Sequence, residues 1–283
     1  MEHFDGLAVS ATAIVAAPSG WHVYWRSRTS EKGTFKLHRL DTDHTLDLDL
    51  WGDRLVLLGY PKQGPQPYFA DGAVAWLAAL GDEKLEDLRP VLYDAGWKGF
   101  PDEHKIWGGA PNFFQCRTVT LGAVRFLGDG SFVIVPGFQK GVHLFNVQGE
   151  RVRSWTSEEL GLDSDCSGVT DEEEQKLRID TAFWLGWLNG HRVADDVLPL
   201  PQGPGLLVRA AGKDGQVHWT LKVLTLQGVE TYAVPLVGRR RADRLHGDVR
   251  DGRIVFLLSA AGTAYDRAPE NRPAEIVVAE MPR

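Results

Sequence analysis

Along this chain, short runs of apolar and β-branched residues are broken at intervals by Gly, Asp or Pro. Five segments pair such a turn with a run of this kind: Pro18, Ser19 and Gly20 before WHVYWRS, Gly52 and Asp53 before RLVLLGYP, Asp129 and Gly130 before SFVIVPG, Pro204 and Gly205 before LLVRAAG, and Asp251 and Gly252 before RIVFLLSA. A further apolar run generally precedes the turn, as in LDLDLWGD, GAVRFLGDG and DDVLPLPQGPG. Others follow it: TFKLHRL, GAVAWLAAL with RPVLYDA, VHLFNV with RVRSW, WTLKVLTL with TYAVPLV, and AEIVVAEM. Runs of this length bounded by turn residues read as strands, and each turn as a hairpin.

Three or four antiparallel strands per unit, repeated about five times, predict an all-β fold: a β-propeller of five or six blades. One domain spans 1–283, with insertions at about 96–114 and 157–190. The second insertion carries the one stretch of helical composition, TDEEEQKLRI from Thr170 to Ile179. The last unit has three strands, and the run GLAVS from Gly6 to Ser10 is expected to supply its missing outer strand. A two-sheet sandwich is the alternative, although its strands need not recur in turn-led groups.

The third unit, GDGSFVIVPGFQKGVHLFNVQGERVRSW, resembles a blade of the NHL and TolB-like six-bladed propellers: an Asp-Gly turn, an aliphatic strand, a Gly, and an apolar strand closing on a Gly turn. Parts of the fourth and fifth units share the pattern. The resemblance implies the fold and little about activity.

Composition narrows the function classes. Hydrophobic residues are 43% and charged residues 24% of the 283, the mix of a globular chain able to bury a large core. Lys and Arg number 31 against 38 Asp and Glu, a net charge of -7, which repels phosphate backbones and makes nucleic acid an unexpected partner. Arg239, Arg240, Arg241 and Arg244 read as a solvated turn. There is no run of about 18 apolar residues, so no membrane span is expected. The start, Met1 to Asp5, lacks the basic and apolar regions of a secretion signal. The chain as written is expected in the cytoplasm, or outside it if a leader has been removed. A disulfide between Cys116 and Cys166, each in a loop-like context, belongs to the second case.

Three sets of residues are candidates for a site. Asp163, Asp165, Ser167, Gly168, Asp171 and Glu174 follow the spacing of a calcium-binding loop, with oxygen ligands around a turn-forming Gly. Thr170 to Glu173 also reads as a helix capping box, which needs no metal. In the first insertion, Trp97, Phe100, Asp102, His104 and Trp107 make a binding lip whose aromatic faces suit a sugar or aromatic ligand, or else a plug for the channel. The third set is the acids of the presumed inner strands: Asp47 and Asp49, Asp195 and Asp196, and Asp248 with His246. They read either as channel groups able to bind a cation or do acid and base work, or as solvated polar residues.

No GxSxG, HExxH, GxxxxGK[ST] or post-strand GxGxxG is present. The function expected is therefore a non-catalytic binding or protein-interaction propeller, with no cofactor or with calcium, and with a protein, small-molecule or carbohydrate ligand. The rival is a propeller hydrolase, glycosidase-like or lactonase-like, working through the channel carboxylates or a bound calcium.

Overall fold

The computed structural model describes residues 4–18, 22–27, 36–39, 42–61, 73–82, 84–93, 122–136, 141–163, 191–212, 214–238, 243–260 and 274–281. These form five antiparallel sheets. The first holds β1 (Phe4–Val9), β2 (Ala13–Pro18), β3 (His22–Ser27) and β4 (Lys36–Arg39). The second holds β5 (Thr42–Trp51), β6 (Arg54–Pro61), β7 (Ala73–Leu80) and β8 (Leu85–Tyr93). The third holds β9 (Ala123–Phe126), β10 (Phe132–Val135), β11 (Val142–Phe145) and β12 (Arg151–Trp155). The fourth holds β13 (Val193–Leu200), β14 (Gly203–Ala211), β15 (Val217–Leu224) and β16 (Val229–Gly238). The fifth holds β17 (Asp243–Arg250), β18 (Arg253–Ala260) and β19 (Glu275–Glu280).

Each sheet is a meander in chain order, so these are five separate blades rather than the two sheets of a sandwich. The strands group into two compact units, the first with the first three sheets and the second, from Trp155 onward, with the last two. Within the first unit, β1 lies beside β5 and β5 beside β9; within the second, β13 lies beside β17. Side-by-side first strands of successive meanders are the arrangement of β-propeller blades. The fold is all-β, with five antiparallel blades.

The cores lie between stacked sheets. Val15, Val23 and Trp25 of the first sheet pack with Leu48, Leu55 and Leu57 of the second. The opposite face of the second sheet, with Val56, Leu58 and Leu77, meets Phe126, Phe132 and Phe145 of the third. There Phe132 stacks on Phe145 at 5.1 Å and meets Phe126 edge-on at 5.5 Å. In the second unit Leu198, Leu207 and Trp219 pack with Leu245, Ile254 and Phe256. Fully burying a side chain of this size contributes about 1.5–3 kcal/mol, so these interlayer seams hold neighbouring blades together.

Two sequence expectations need correction. The strand containing Gly6 does not complete the last blade. It pairs with β2, Leu7 opposite Ala16 and Val9 opposite Ile14, as the first strand of the first sheet. Its turn carries none of the Gly, Asp or Pro that mark the others: the Ser10 hydroxyl accepts the N–H groups of Thr12 and Ala13 at 3.2 and 3.1 Å instead. Pro18, the first residue of the expected turn, is therefore the last residue of the second strand of its sheet. The expected turn at Pro204 and Gly205 is also displaced. Both residues lie within β14, and Leu200 pairs with Gly203 across Pro201 and Gln202.

The one helix among the described residues is α1 (Ser157–Leu160), a single turn at the start of the second insertion. Thr156 caps it in a reciprocal box: its hydroxyl accepts the Glu159 N–H at 3.2 Å, and the Glu159 carboxylate accepts the Thr156 N–H at 2.6 Å. Gly161 ends it at φ 59°. The helix expected from Thr170 to Ile179 lies outside the described residues.

Candidate functional site

The acids of the inner strands are the expected site residues that the structure describes in full, and most of them bind backbone. On β5, Asp47 accepts the Val124 N–H through Oδ2 at 2.9 Å, and Asp49 accepts the Phe126 N–H at 2.7 Å. Both donors belong to β9, the first strand of the next blade. On β13, Asp196 accepts the Gly247 N–H of β17 at 3.0 Å. The same tie thus occurs in each unit, between a carboxylate on one first strand and an amide on the next.

Local backbone geometry explains why these positions reach across. In β5 the register shifts between Thr45 and Asp47, and in β13 between Ala194 and Asp196. Each Asp follows one extra, bulged residue, and a bulge re-aims the side chain beside it. The second oxygen is also engaged: Asp47 Oδ1 accepts the Leu48 N–H at 2.9 Å, and Asp196 Oδ1 accepts the Val197 N–H at 2.8 Å. Asp248, on the unbulged β17, accepts the Val249 N–H at 2.8 Å and the Arg250 Nε–H at 3.0 Å. His246 places Nδ1 3.7 Å from Asp196.

Asp195, the bulged residue itself, is buried in its own sheet. Its Oδ2 accepts the Trp219 Nε1–H at 2.6 Å, and Arg209 Nη1 lies 3.8 Å from its Oδ1. Asp195, Arg209 and Trp219 sit on three successive strands. Burial pushes the Arg209 guanidinium down from its usual range, Asp195 and Asp243 push it back up, and Arg244 opposes them. The sequence reading missed Arg209, because an Arg within an apolar run shows no partner until the sheet is formed.

Asp163 is the one proposed calcium ligand among the described residues. Its Oδ2 accepts the Arg192 N–H at 2.7 Å and its Oδ1 the Arg192 side chain at 3.0 Å. Burial raises its pKa, but the hydrogen bonds and charge of Arg192, with His191, outweigh that and hold it below the usual carboxylate value. Asp165, Ser167, Asp171 and Glu174 lie outside the described residues, as do Trp97, Phe100, Asp102, His104, Trp107, Cys116 and Cys166.

No protein-family model matches the chain. No curated protein matches it either. Among solved structures, the computationally designed Ika4 protein aligns at 11% identity over 83% of this chain and 92% of its own, with a TM-score of 0.37. The Cps50 (Swd1) β-propeller domain of Myceliophteria thermophila aligns at 10% identity over 99% and 74%, with a TM-score of 0.46. These likenesses are too loose to argue from, so the site is read from its own residues.

Those residues divide the molecule's polar groups by role. A carboxylate that accepts a backbone N–H on each oxygen has about two of its four acceptor sites committed to holding that backbone. Asp47 and Asp196 are of this kind. Connectivity sets the insertions apart from such ties: the first joins the end of β8 to the start of β9, and the second joins β12 to β13. Each therefore links the last strand of one blade to the first strand of the next.

Proposed function

We propose that this protein is a non-catalytic binding or protein-interaction β-propeller, of the NHL and TolB-like kind, that meets its ligand through its insertions. The observation that carries this reading is the engagement of Asp47, Asp49 and Asp196 with the backbone of the adjoining blade. The inner-strand acids serve the architecture. Loops on a strand scaffold are the usual carriers of recognition. Trp97, Phe100, Asp102, His104 and Trp107, with two indoles and a phenyl ring, suit a carbohydrate or aromatic ligand, and the carboxylate and imidazole supply orienting hydrogen bonds.

The test is a glycan and small-molecule screen on the wild type, followed by Trp97→Ala and Trp107→Ala. Loss of an aromatic anchor weakens binding by about 1–3 kcal/mol with little change in melting temperature. A lowered melting temperature with unchanged binding would show the rings to be packing and end the reading. For the calcium loop of Asp163, Asp165, Ser167, Asp171 and Glu174, terbium luminescence is the direct measurement. The Arg192 side chain already engages Asp163 Oδ1, so a cation there competes with it, and Arg192→Ala, which keeps the backbone N–H on Oδ2, is expected to strengthen binding.

A further inference from the structure

We propose that a cavity on the second blade binds a compact oxyanion, the phosphate or carboxylate group of a small ligand, between Arg54 and Arg89. The cavity has a volume of about 410 Å³, and its walls include Arg54, Leu77, Ala79, Asp87, Leu88 and Arg89. Arg54 pairs with Ala79 and Arg89 with Leu77, two positions apart on β7, so both arginines lie on one face of the sheet.

Their known partners are backbone carbonyls of the turn between β11 and β12. Arg54 donates to the Val147 oxygen and Arg89 to the Gln148 oxygen. That turn is seated against the same wall, where a Cβ on Gly149 would come 3.2 Å from Leu77 and 3.1 Å from Val91. A tie to the turn would account for one N–H of each guanidinium. It does not account for the charge. Among the described residues neither group has a carboxylate within 4.0 Å, although the chain carries 38 acids against 31 bases. Asp87 also lines the cavity but lies beyond 4.0 Å of both guanidiniums, so the lining keeps a net positive charge; two guanidiniums there, each with N–H donors to spare, suit an oxyanion able to accept from both.

The backbone beside them is also unusual. Asp87 holds φ 49°, in the left-handed region that a non-glycine residue rarely adopts. It lies where β8 is out of step with β7, between Glu86 opposite Ala79 and Arg89 opposite Leu77. Strained backbone of this type gathers at binding sites, where the surrounding structure holds it in place. Arg54 follows the turn between β5 and β6, whereas the first insertion leaves the sheet beyond Tyr93, at the far end of β8.

The experiment is a titration of the full chain with inorganic phosphate and, separately, with succinate, following the arginine Nε–Hε resonances at constant ionic strength with chloride as the control. The expected result is a saturable shift at Arg54 and Arg89. The tighter anion then tells a phosphate-bearing from a carboxylate-bearing ligand. Arg89→Gln, checked for an unchanged circular dichroism spectrum, is expected to weaken binding about tenfold or more, as loss of a charged hydrogen-bond donor does. If that variant fails to fold, the wild-type titration decides alone. No saturable shift with either anion, a shift that chloride reproduces, or wild-type affinity in folded Arg89→Gln would overturn the proposal.

Discussion

At the scale of single residues, the buried Asp195 carries a large electrostatic stake. It faces Arg209, whose side chain is 2% exposed, and it holds the Trp219 indole N–H. Removing one member of a buried ion pair leaves the other desolvated and uncompensated, at a cost of about 3–5 kcal/mol. Asp195→Ala is therefore expected to lower the unfolding free energy in urea by that amount. Trp219→Phe keeps most of the packing and loses one hydrogen bond, so it should cost less; equal losses would show that Arg209 does not depend on Asp195.

His143 gives a pH signature. Burial, and to a lesser extent the charge of Arg151, lower its pKa from the usual 6.5 to about 4. Between those two values the unfolded chain binds more protons than the folded one, so stability rises with pH across the window and falls on acidification from about 6.5 to about 4. His143→Asn is expected to flatten that part of the profile. Urea midpoints for wild type and variant over this range check it, and parallel profiles would contradict the shift.

At the scale of elements, the close approach of β13 and β17 depends on Gly247. A Cβ there would run into the Leu198 side chain, which is fully buried. Gly247→Ala should therefore force the strands apart, weaken the Asp196 bond and destabilise by about 1–3 kcal/mol, read as a lower melting temperature. An unchanged melting temperature would mean that the seam relaxes freely. The legibility of such elements in the sequence depended on how each turn is made. Gly52, Gly130 and Gly252 take φ of 62°, 81° and 74°, so the residue that advertises the turn is the one its backbone needs. The turn at Ser10 is made by a hydroxyl and escaped notice. The inner-strand acids were legible as a group, but their targets were not, because the bulges before Asp47 and Asp196 that re-aim them appear only in strand register.

At the scale of the whole molecule, turn-led repeats yielded five blades in two compact units, and the acids became ties between first strands within each unit. The commitment of the inner-strand carboxylates to the blades' own backbone is why the proposed function rests on the insertions. The most direct test is amide hydrogen exchange at Val124, Phe126 and Gly247 in wild type and in Asp47→Ala, Asp49→Ala and Asp196→Ala. If the carboxylates are architectural, each amide is protected in the wild type. It should then exchange about tenfold or more faster when its own Asp is removed, with β10 amides little changed. Exchange at these three amides that is indifferent to the substitutions would contradict the account and return the carboxylates to the list of candidate working groups.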